Sequence, residues 1–278
     1  MVKLQTVKRT PNWPIFFREH RVFLSKKAGI VAQGGTIDSI KNEENKLVPS
    51  PHPVTIKRVR NLTSRRIATL FQNHAALSEN LGSLYPWVES QGAEVDIPWR
   101  QIKMFLMARV SSFDSGEEHG SHFVAALHYA TSLLTSLDVL IISQGTDSLA
   151  NKTALFSVVL SPYLLAAKKK VIFVGSPESG YVEESLSISN ISAALFTAVS
   201  PSIPPGVYVV TSQRQGGEIH TDVLPGLGSV KLHTDGYFYS PNTGSLLTIN
   251  KKEVVNSAMY EDLLARIKQI GLLPYLSK

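Results

Sequence analysis

The feature that most constrains the fold is an alternation of short buried runs with helical segments. Three runs are nearly continuous in apolar or β-branched residues: Leu137–Ser143, Val171–Gly175 and Gly206–Thr211. Such runs are typical of strands covered on both faces of a parallel sheet. Segments with the three-to-four spacing of helices separate them, at 150–167 and 189–199. Together they predict an α/β fold with a doubly wound, mostly parallel sheet, flanked by helices and joined by right-handed crossovers.

The rest of the chain completes this expectation. The other expected elements are a strand from Lys27 into a Gly-Gly loop, a mobile polar loop over 38–53, a helix over 54–80, a strand within 95–107, a helix over 121–137 and an amphipathic helix over 254–272. The resulting domain organisation is a basic N-terminal arm over 1–27, one α/β domain over 28–248 and a C-terminal helical tail over 249–278.

The charge of the chain is concentrated in the N-terminal arm. Its seven basic residues and one acidic residue, Glu19, account for the whole formal charge of +6. Three interpretations stay open: a mitochondrial targeting segment, an extension that binds RNA or an acidic protein, and a solvated tail. Four aromatic residues, Trp13, Phe16, Phe17 and Phe23, favour a contact surface over a solvated tail. We therefore expect a protein or RNA partner at the arm, membership of an oligomer or complex, and a mitochondrial matrix location, with the cytoplasm as the alternative.

Composition removes several classes of function. The chain has no cysteine, which excludes disulfides, thiol nucleophiles and thiolate metal sites. Its eight histidines show no HExxH or HxxxH spacing, so a zinc site has little support. No run approaches the ~18 apolar residues of a membrane span. We expect no metal, no organic cofactor and no membrane span.

Two glycine-containing loops carry the candidate chemistry. QGGT at 33–36 and QGTD at 144–147 each follow a buried strand, and ligands bind at this carboxyl end of parallel strands. Glycine lets backbone N–H groups approach a ligand closely. A threonine hydroxyl is a weak nucleophile that needs a nearby base. Asp147 and the lysine run 168–170 are candidates for that chemistry, although a plain strand–helix turn would explain either loop alone.

Several ordered segments resemble one family. AQGGTI at 32–37 and ISQGTDSLANKTA at 142–154 resemble the two signature motifs of the bacterial-type L-asparaginases. DSGEEHGSHF at 114–123 resembles the substrate loop of that family, and KKVIFVG at 169–175 resembles its lysine-strand segment. GVYVVTSQRQGGEIHTDV at 206–223 follows the same pattern. The resemblance spans residues 28–242 and implies the fold of the N-terminal, catalytic domain.

The resemblance also implies an amidohydrolase that converts asparagine, and in some members glutamine, into the acid and ammonia. It assigns catalytic positions to Thr36, Thr146 and Lys169, and substrate-binding positions to Ser115, Gly116 and Asp147. In these roles Thr36 is the nucleophile of the first loop, and Lys169 is the base that activates Thr146. Asp147 binds the ammonium group of the substrate, and Ser115 binds its α-carboxylate. Side chains alone perform this chemistry, so the resemblance implies no cofactor.

Departures from the family pattern support an alternative. Leu47 lies where the family has a tyrosine, and Gly116 lies where it has a polar residue that holds the substrate. Gln33 and Gln144 replace a threonine and a histidine, and Glu178 replaces an arginine. The smaller C-terminal domain of the family has no counterpart in these residues. The alternative is a catalytically degenerate domain that serves as a structural subunit of a larger mitochondrial assembly, of which a ribonucleoprotein is one form.

Overall fold

A computed structural model describes thirteen stretches of the chain. They are residues 26–49, 67–68, 89–91, 94–96, 102–109, 116, 118, 120–180, 185–199, 203–231, 237–242, 244–249 and 254–256. The expected arm lies outside these residues, except for Lys26 and Lys27, which open the first strand.

The described elements follow the expected alternation of strands and helices. The strands are β1 Lys26–Ala32, β2 Ser39–Lys41, β3 Leu47–Pro49, β4 Ile67–Ala68, β5 Glu89–Gln91, β6 Glu94–Asp96, β7 Ile102–Arg109, β8 Val139–Gln144, β9 Lys170–Gly175, β10 Gly206–Gln215, β11 Glu218–Pro225, β12 Val230–Lys231, β13 Phe238–Tyr239, β14 Leu247–Ile249 and β15 Val254–Asn256. The helices are α1 Gly120–Leu133, α2 Leu149–Ala167 and α3 Leu186–Val199, with a 3-10 turn at Thr36–Asp38.

One large sheet forms the centre of the molecule. Its strand order is β15-β14-β11-β10-β9-β8-β1-β7-β6-β4, and β5 also pairs with β7. The five central strands, β7, β1, β8, β9 and β10, run parallel, whereas the strands at both margins pair antiparallel. The predicted fold class, a mostly parallel sheet flanked by helices, is confirmed.

Helices cover both faces of the sheet. Alternate side chains of β1, β8, β9 and β10 join two separate cores, one with α1 and α2 and the other with α3. The chain advances in the same direction across the sheet from β8 to β9 and from β9 to β10. Since α2 and α3 lie on opposite faces, their crossovers have opposite hands. The prediction that all crossovers are right-handed is therefore wrong for one of them, although that hand dominates in proteins generally.

Three sequence-based elements differ from the structure. The helix expected over 54–80 contains β4, which pairs with β6, so it is not continuous. The amphipathic helix expected over 254–272 begins as β15, because Val254 and Val255 pair with β14 at the sheet margin. The polar loop expected over 38–53 contains the β2–β3 hairpin. In each case pairing with another segment overrides a local pattern, which a periodicity argument cannot detect.

Helix α2 has the length and apolar composition of a membrane span, and it is the only such helix in the described stretches. Core helices of soluble proteins pass the same test. One stripe of α2, formed by Phe156, Leu160 and Leu164, packs in the core against the sheet, while Val158 and Val159 on the other side are exposed. Composition is therefore weak evidence here, and the absence of a membrane span stays a prediction.

Candidate functional site

The two glycine loops lie at the switch point of the sheet. The central order β7-β1-β8-β9-β10 places the first strand inside the sheet, so the chain leaves β1 towards one margin and later continues from β8 towards the other. Crevices at such a point, outside the carboxyl ends of the strands, are where open α/β sheets bind ligands. The loops after β1 and β8 are the ones that carry Thr36 and Thr146.

The two loops touch through their backbones. Gly35 has φ 80 and ψ −178, a region that essentially only glycine occupies. A Cβ atom at this position would lie 2.1 Å from the backbone N of Gly145 and 2.2 Å from its Cα. No side chain fits between the loops, so glycine at position 35 is what brings the first loop against the second.

Both threonines lie within this contact region. Thr36 begins the 3-10 turn directly after Gly35 and is half-buried, while Thr146 directly follows Gly145 and is 7% exposed. A Cβ atom on Gly175 would lie 3.3 Å from the Cγ2 methyl of Thr146. The methyl therefore faces the end of β9, and the tetrahedral Cβ directs the hydroxyl away from it.

Asp147 already has a cationic partner. Its Oδ1 accepts a hydrogen bond from the Nζ of Lys231 on β12, and the Asp147 side chain is 57% exposed. The carboxylate next to Thr146 is thus partly neutralised by the chain itself. An exposed pair of this kind contributes only ~0–1 kcal/mol, so a ligand ammonium group could displace Lys231.

A buried charged cluster that the sequence analysis missed lies beside the loops. Lys152, in the first turn of α2, is 0% exposed. Its Nζ donates to Gln33 Oε1 at 2.9 Å and to Glu118 Oε1 at 2.7 Å. The other carboxylate oxygen of Glu118 accepts from Ser148 Oγ. The Nζ also lies 5.3 Å from the ring centroid of Phe123, within cation–π range.

Burial sets the electrostatics of this cluster. Desolvation lowers the pKa of Lys152 below the usual lysine range, and the neighbouring charge of Glu118 opposes that shift. The burial of Lys152 could have been predicted from the sequence. Helical spacing places position 152 on the same stripe of α2 as Leu149 and Phe156, both of which are buried. A lysine on the core-facing stripe of an apolar helix must find partners.

Two further polar groups complete this edge of the sheet. Ala32 pairs with Ser143 across β1 and β8, so Gln33 and Gln144 follow side by side. Both polar atoms of the Gln144 side chain are buried without a hydrogen-bond partner in the described part of the chain. On the opposite face of the sheet, the Ser143 hydroxyl donates to the buried Asp38 at 3.1 Å. Within the described residues, no group of His, Asp and Glu is placed to hold a metal ion.

Comparison with known proteins identifies the family. The model of the asparaginase N-terminal domain matches residues 27–260 of this chain. The chain belongs to the asparaginase family. The thermostable L-asparaginase from Thermococcus kodakarensis superposes with a TM-score of 0.52 and 18% sequence identity, covering 83% of this chain and 56% of that one. The probable cytoplasmic L-asparaginase from Campylobacter jejuni gives 0.51 and 16%, covering 84% and 58%.

These matches define how far the family assignment extends. At such identities the two structures establish a shared fold, and no curated protein sequence matches the chain at comparable significance. The chain spans a little over half the length of either asparaginase structure, 56% and 58%. Activity, substrates and residue roles therefore require separate arguments.

The structure does not bring Lys169 to Thr146. Lys169 precedes β9 at the amino end of the sheet, whereas Thr146 follows β8 at the carboxyl end; β9 alone, five steps from Lys170 to Gly175, is roughly 17 Å long at ~3.3 Å per residue. Its Nζ donates to the carbonyls of Leu134 at 2.5 Å and Leu137 at 2.9 Å, just beyond α1. A lysine that binds carbonyls at the end of a helix stabilises that end. The expected Thr146–Lys169 pair is therefore not formed.

The structure describes three of the four remaining positions that the family resemblance singled out. Ser115 lies outside the described residues, and Gly116 is exposed with no atom of the described residues within 4 Å of where its Cβ would be. Leu47 is 48% exposed in β3. Glu178, which replaces the family arginine, accepts from the backbone N of Leu186 at 2.8 Å at the start of α3. A carboxylate at a helix N-terminus is stabilising, which gives this acid a structural role.

Proposed function

We propose that the chain is an asparaginase-type amidohydrolase whose reaction takes place where the two glycine loops meet. The observation that carries the proposal is the backbone contact between Gly35 and Gly145, since it holds Thr36 and Thr146 together at the switch point of the sheet. Two hydroxyls at the carboxyl edge of a parallel sheet, next to backbone N–H groups of glycine turns, match what acyl transfer from an amide requires.

The proposed chemistry has two steps. The Thr36 hydroxyl attacks the carbonyl carbon of the side-chain amide, an ester bond to Thr36 forms, and the carbon–nitrogen bond breaks. The hydroxyl proton goes to the leaving nitrogen, which departs as ammonia. A water molecule then attacks the ester and restores the Thr36 hydroxyl together with a free carboxylic acid. In this mechanism Thr146 relays a proton or orients the attacking water, and Asp147 binds an ammonium group of the substrate by displacing Lys231.

Ammonia release by purified protein tests this proposal. L-Asparagine and L-glutamine are the substrates, and Thr36→Ala and Thr146→Ala are the test variants. We expect each substitution to lower kcat/KM by at least ~10²-fold, because each removes a group that acts on the reacting atoms.

Thr131→Ala is the matched control for these variants. Thr131 is an exposed threonine on α1 whose hydroxyl bonds to the Leu127 carbonyl in its own helix. This variant should retain wild-type activity. Folded wild-type protein that releases no ammonia from either substrate above the level of the Thr146→Ala variant would refute the proposal.

A second candidate function is favoured by the Asp147–Lys231 pair. An acidic group that its own chain already neutralises is what a domain retained for architecture would keep. In this candidate the chain is a structural subunit of a mitochondrial assembly, which it joins through the basic arm 1–27 that binds protein or RNA.

Imaging of the tagged chain with and without residues 1–25 tests the location. Sedimentation of the complex before and after ribonuclease treatment tests the RNA component, and a chain that stays cytoplasmic and monomeric in both forms contradicts the candidate.

A further inference from the structure

Lys152 connects the three segments that surround the proposed reaction centre. Its ammonium group binds Gln33 at the start of the first glycine loop and Glu118 in the segment between β7 and α1. Glu118 in turn binds Ser148, two residues after Thr146 in the second loop. One buried cation therefore fixes both loops from the side of α2, whereas Gly35 and Gly145 fix them by direct contact.

Stability alone does not explain a charge at this position. The side chains of Lys152 and Glu118 are 0% and 4% exposed, so both charges have lost most of their hydration. An apolar pair of similar volume is often as stabilising as a buried ion pair or more so. The neighbouring residues on the same stripe of α2, Leu149 and Phe156, show that the core accepts apolar side chains there. Packing therefore does not explain why a charged residue occupies position 152.

We infer that Lys152 is a positioning residue, which through Gln33 and Glu118 holds Thr36 and Thr146 in their reactive arrangement. The inference rests on the proposed function, because it assigns to the cluster the alignment of that same site. Gln33 is three residues before Thr36, and Ser148 is two residues after Thr146, so a shift of either anchor moves a hydroxyl. A misplacement of about 1 Å can lower a rate by ~10²-fold.

The test compares buried lysines at opposite ends of the sheet. Lys152→Met removes the positioning cation. Lys170→Met is the control, because Lys170 is 7% exposed and donates to the Thr197 carbonyl at the far end. The double variant Lys152→Met with Glu118→Gln removes both charges, so it leaves no unpaired carboxylate in the core. It can therefore be measured even where the single variant fails to fold.

Steady-state kinetics separates positioning from a purely structural role. We expect Lys152→Met and the double variant to lower kcat for ammonia release by ~10²-fold with KM within about threefold of wild type. Lys170→Met should stay within about threefold of wild type in both constants. The double variant should regain the unfolding midpoint of the wild type without regaining kcat. Recovery of kcat in the double variant, or an equal loss in Lys170→Met, overturns the inference.

Hydrogen exchange provides a readout that needs no turnover. We expect faster amide exchange at 34–37 and 145–148 in Lys152→Met and in the double variant, and unchanged exchange there in Lys170→Met. If folded wild-type protein releases no ammonia, the proposed function fails, and exchange alone judges whether Lys152 holds the loops. Unchanged exchange in all variants overturns the inference even where the wild type is active.

Discussion

The two ends of the central sheet use lysines in different ways. At the amino end, Lys169 donates to the Leu134 and Leu137 carbonyls, and Lys170 donates to the Thr197 carbonyl. At the carboxyl end, Lys152 donates to side-chain oxygens of Gln33 and Glu118. A lysine that binds carbonyls near a helix end compensates polar groups that the fold leaves there in any case. A lysine that binds side chains on two other segments determines where those segments lie.

This difference shows that the role of a lysine depends on its position in the fold as well as on its place in a sequence motif. Lys169 fits a family motif in sequence and yet lies at the end of the sheet opposite the candidate site. Lys152 matches no lysine of the motifs and yet lies against the site. A lysine gains a chemical role from the end of the strand at which it lies, and neighbouring sequence does not specify that end by itself.

The largest effect should come from breaking the loop contact at the carboxyl end. Gly35→Ala should lower the free energy of unfolding by about 4 kcal/mol or more, because it combines backbone strain with a Cβ that overlaps Gly145. Gly217→Ala is the control, since Gly217 has a similar φ of 79 and no atom of the described stretches within 4 Å of its Cβ position. Its cost should be about 1–2 kcal/mol. Urea unfolding of both variants checks the prediction, and equal losses would contradict it.

Replacement of one lysine at each end sharpens the comparison. Lys152→Met should lower the free energy of unfolding by ~3–5 kcal/mol, because it leaves the Glu118 carboxylate buried without its partner. Lys170→Met should cost less, about 1–3 kcal/mol, since it removes a hydrogen bond to the Thr197 carbonyl and leaves no carboxylate known to depend on it. Urea titration at pH 7 measures both losses. A larger loss in Lys170→Met would reverse the interpretation of the two ends.

The pH dependence of stability should carry the signature of Lys152. Burial lowers its pKa below the unfolded value of 10.5, so between these two values the unfolded chain binds more protons than the folded chain. Stability from this group therefore rises with pH across that window. The free energy of unfolding of the wild type minus that of Lys152→Met should increase as pH rises towards 10. A flat difference would show that the folded pKa is not lowered.

Measurements for that comparison should stay below pH 10. Burial raises the pKa of Tyr129 above its ordinary value of 10.0, so the folded chain keeps a proton that the unfolded chain loses. Stability from Tyr129 is complete below that value and declines as pH rises above it. As pH rises, Lys152 therefore increases the free energy of unfolding and Tyr129 decreases it. Of these two groups, only Lys152 changes the stability below pH 10.

The smallest expected effect distinguishes Gln33 from Gln144, which lie side by side at the ends of neighbouring strands. Gln144→Leu should raise the free energy of unfolding by ~1 kcal/mol, because its buried amide has no hydrogen-bond partner in the described part of the chain. Gln33→Leu should instead lower it, since Lys152 loses an acceptor. Thermal unfolding of the two variants checks the opposite signs. A loss of stability in Gln144→Leu would indicate that its amide has a partner.

The central part of the fold could be predicted from sequence because it depends on local patterns. The expected strand at 137–143 corresponds to β8 at Val139–Gln144, and the expected helix at 150–167 corresponds to α2 at Leu149–Ala167. Both are long, strongly patterned segments whose partners are neighbours in the sheet. The predictions failed at the margins because β4 and β15 owe their conformation to pairing with β6 and β14, which overrides their helical spacing.

The candidate site was predicted in part for the same reason. Thr36 and Thr146 follow strands that the sequence indicated, and their glycine loops do meet. Lys152 and Glu118 were missed because their pairing joins residues 34 positions apart in the chain, and only the packing of α2 on the sheet brings them together. One of the two crossovers through α2 and α3 was predicted with the wrong hand because no local pattern encodes handedness.

The α3 crossover has a consequence for the order in which the protein is made. On its way to the other face of the sheet, the segment after β9 lies on the first loop. Gly180 donates its N–H to the Ile37 carbonyl at 3.0 Å, and Ser179 donates its hydroxyl to the Ser39 carbonyl, 140 residues away in the chain. A ribosome therefore synthesises Thr36 early, but the loop that carries it acquires these contacts only after residue 180 has left the exit tunnel. Until then the emerging chain holds Thr36 without the contacts that fix the turn after it.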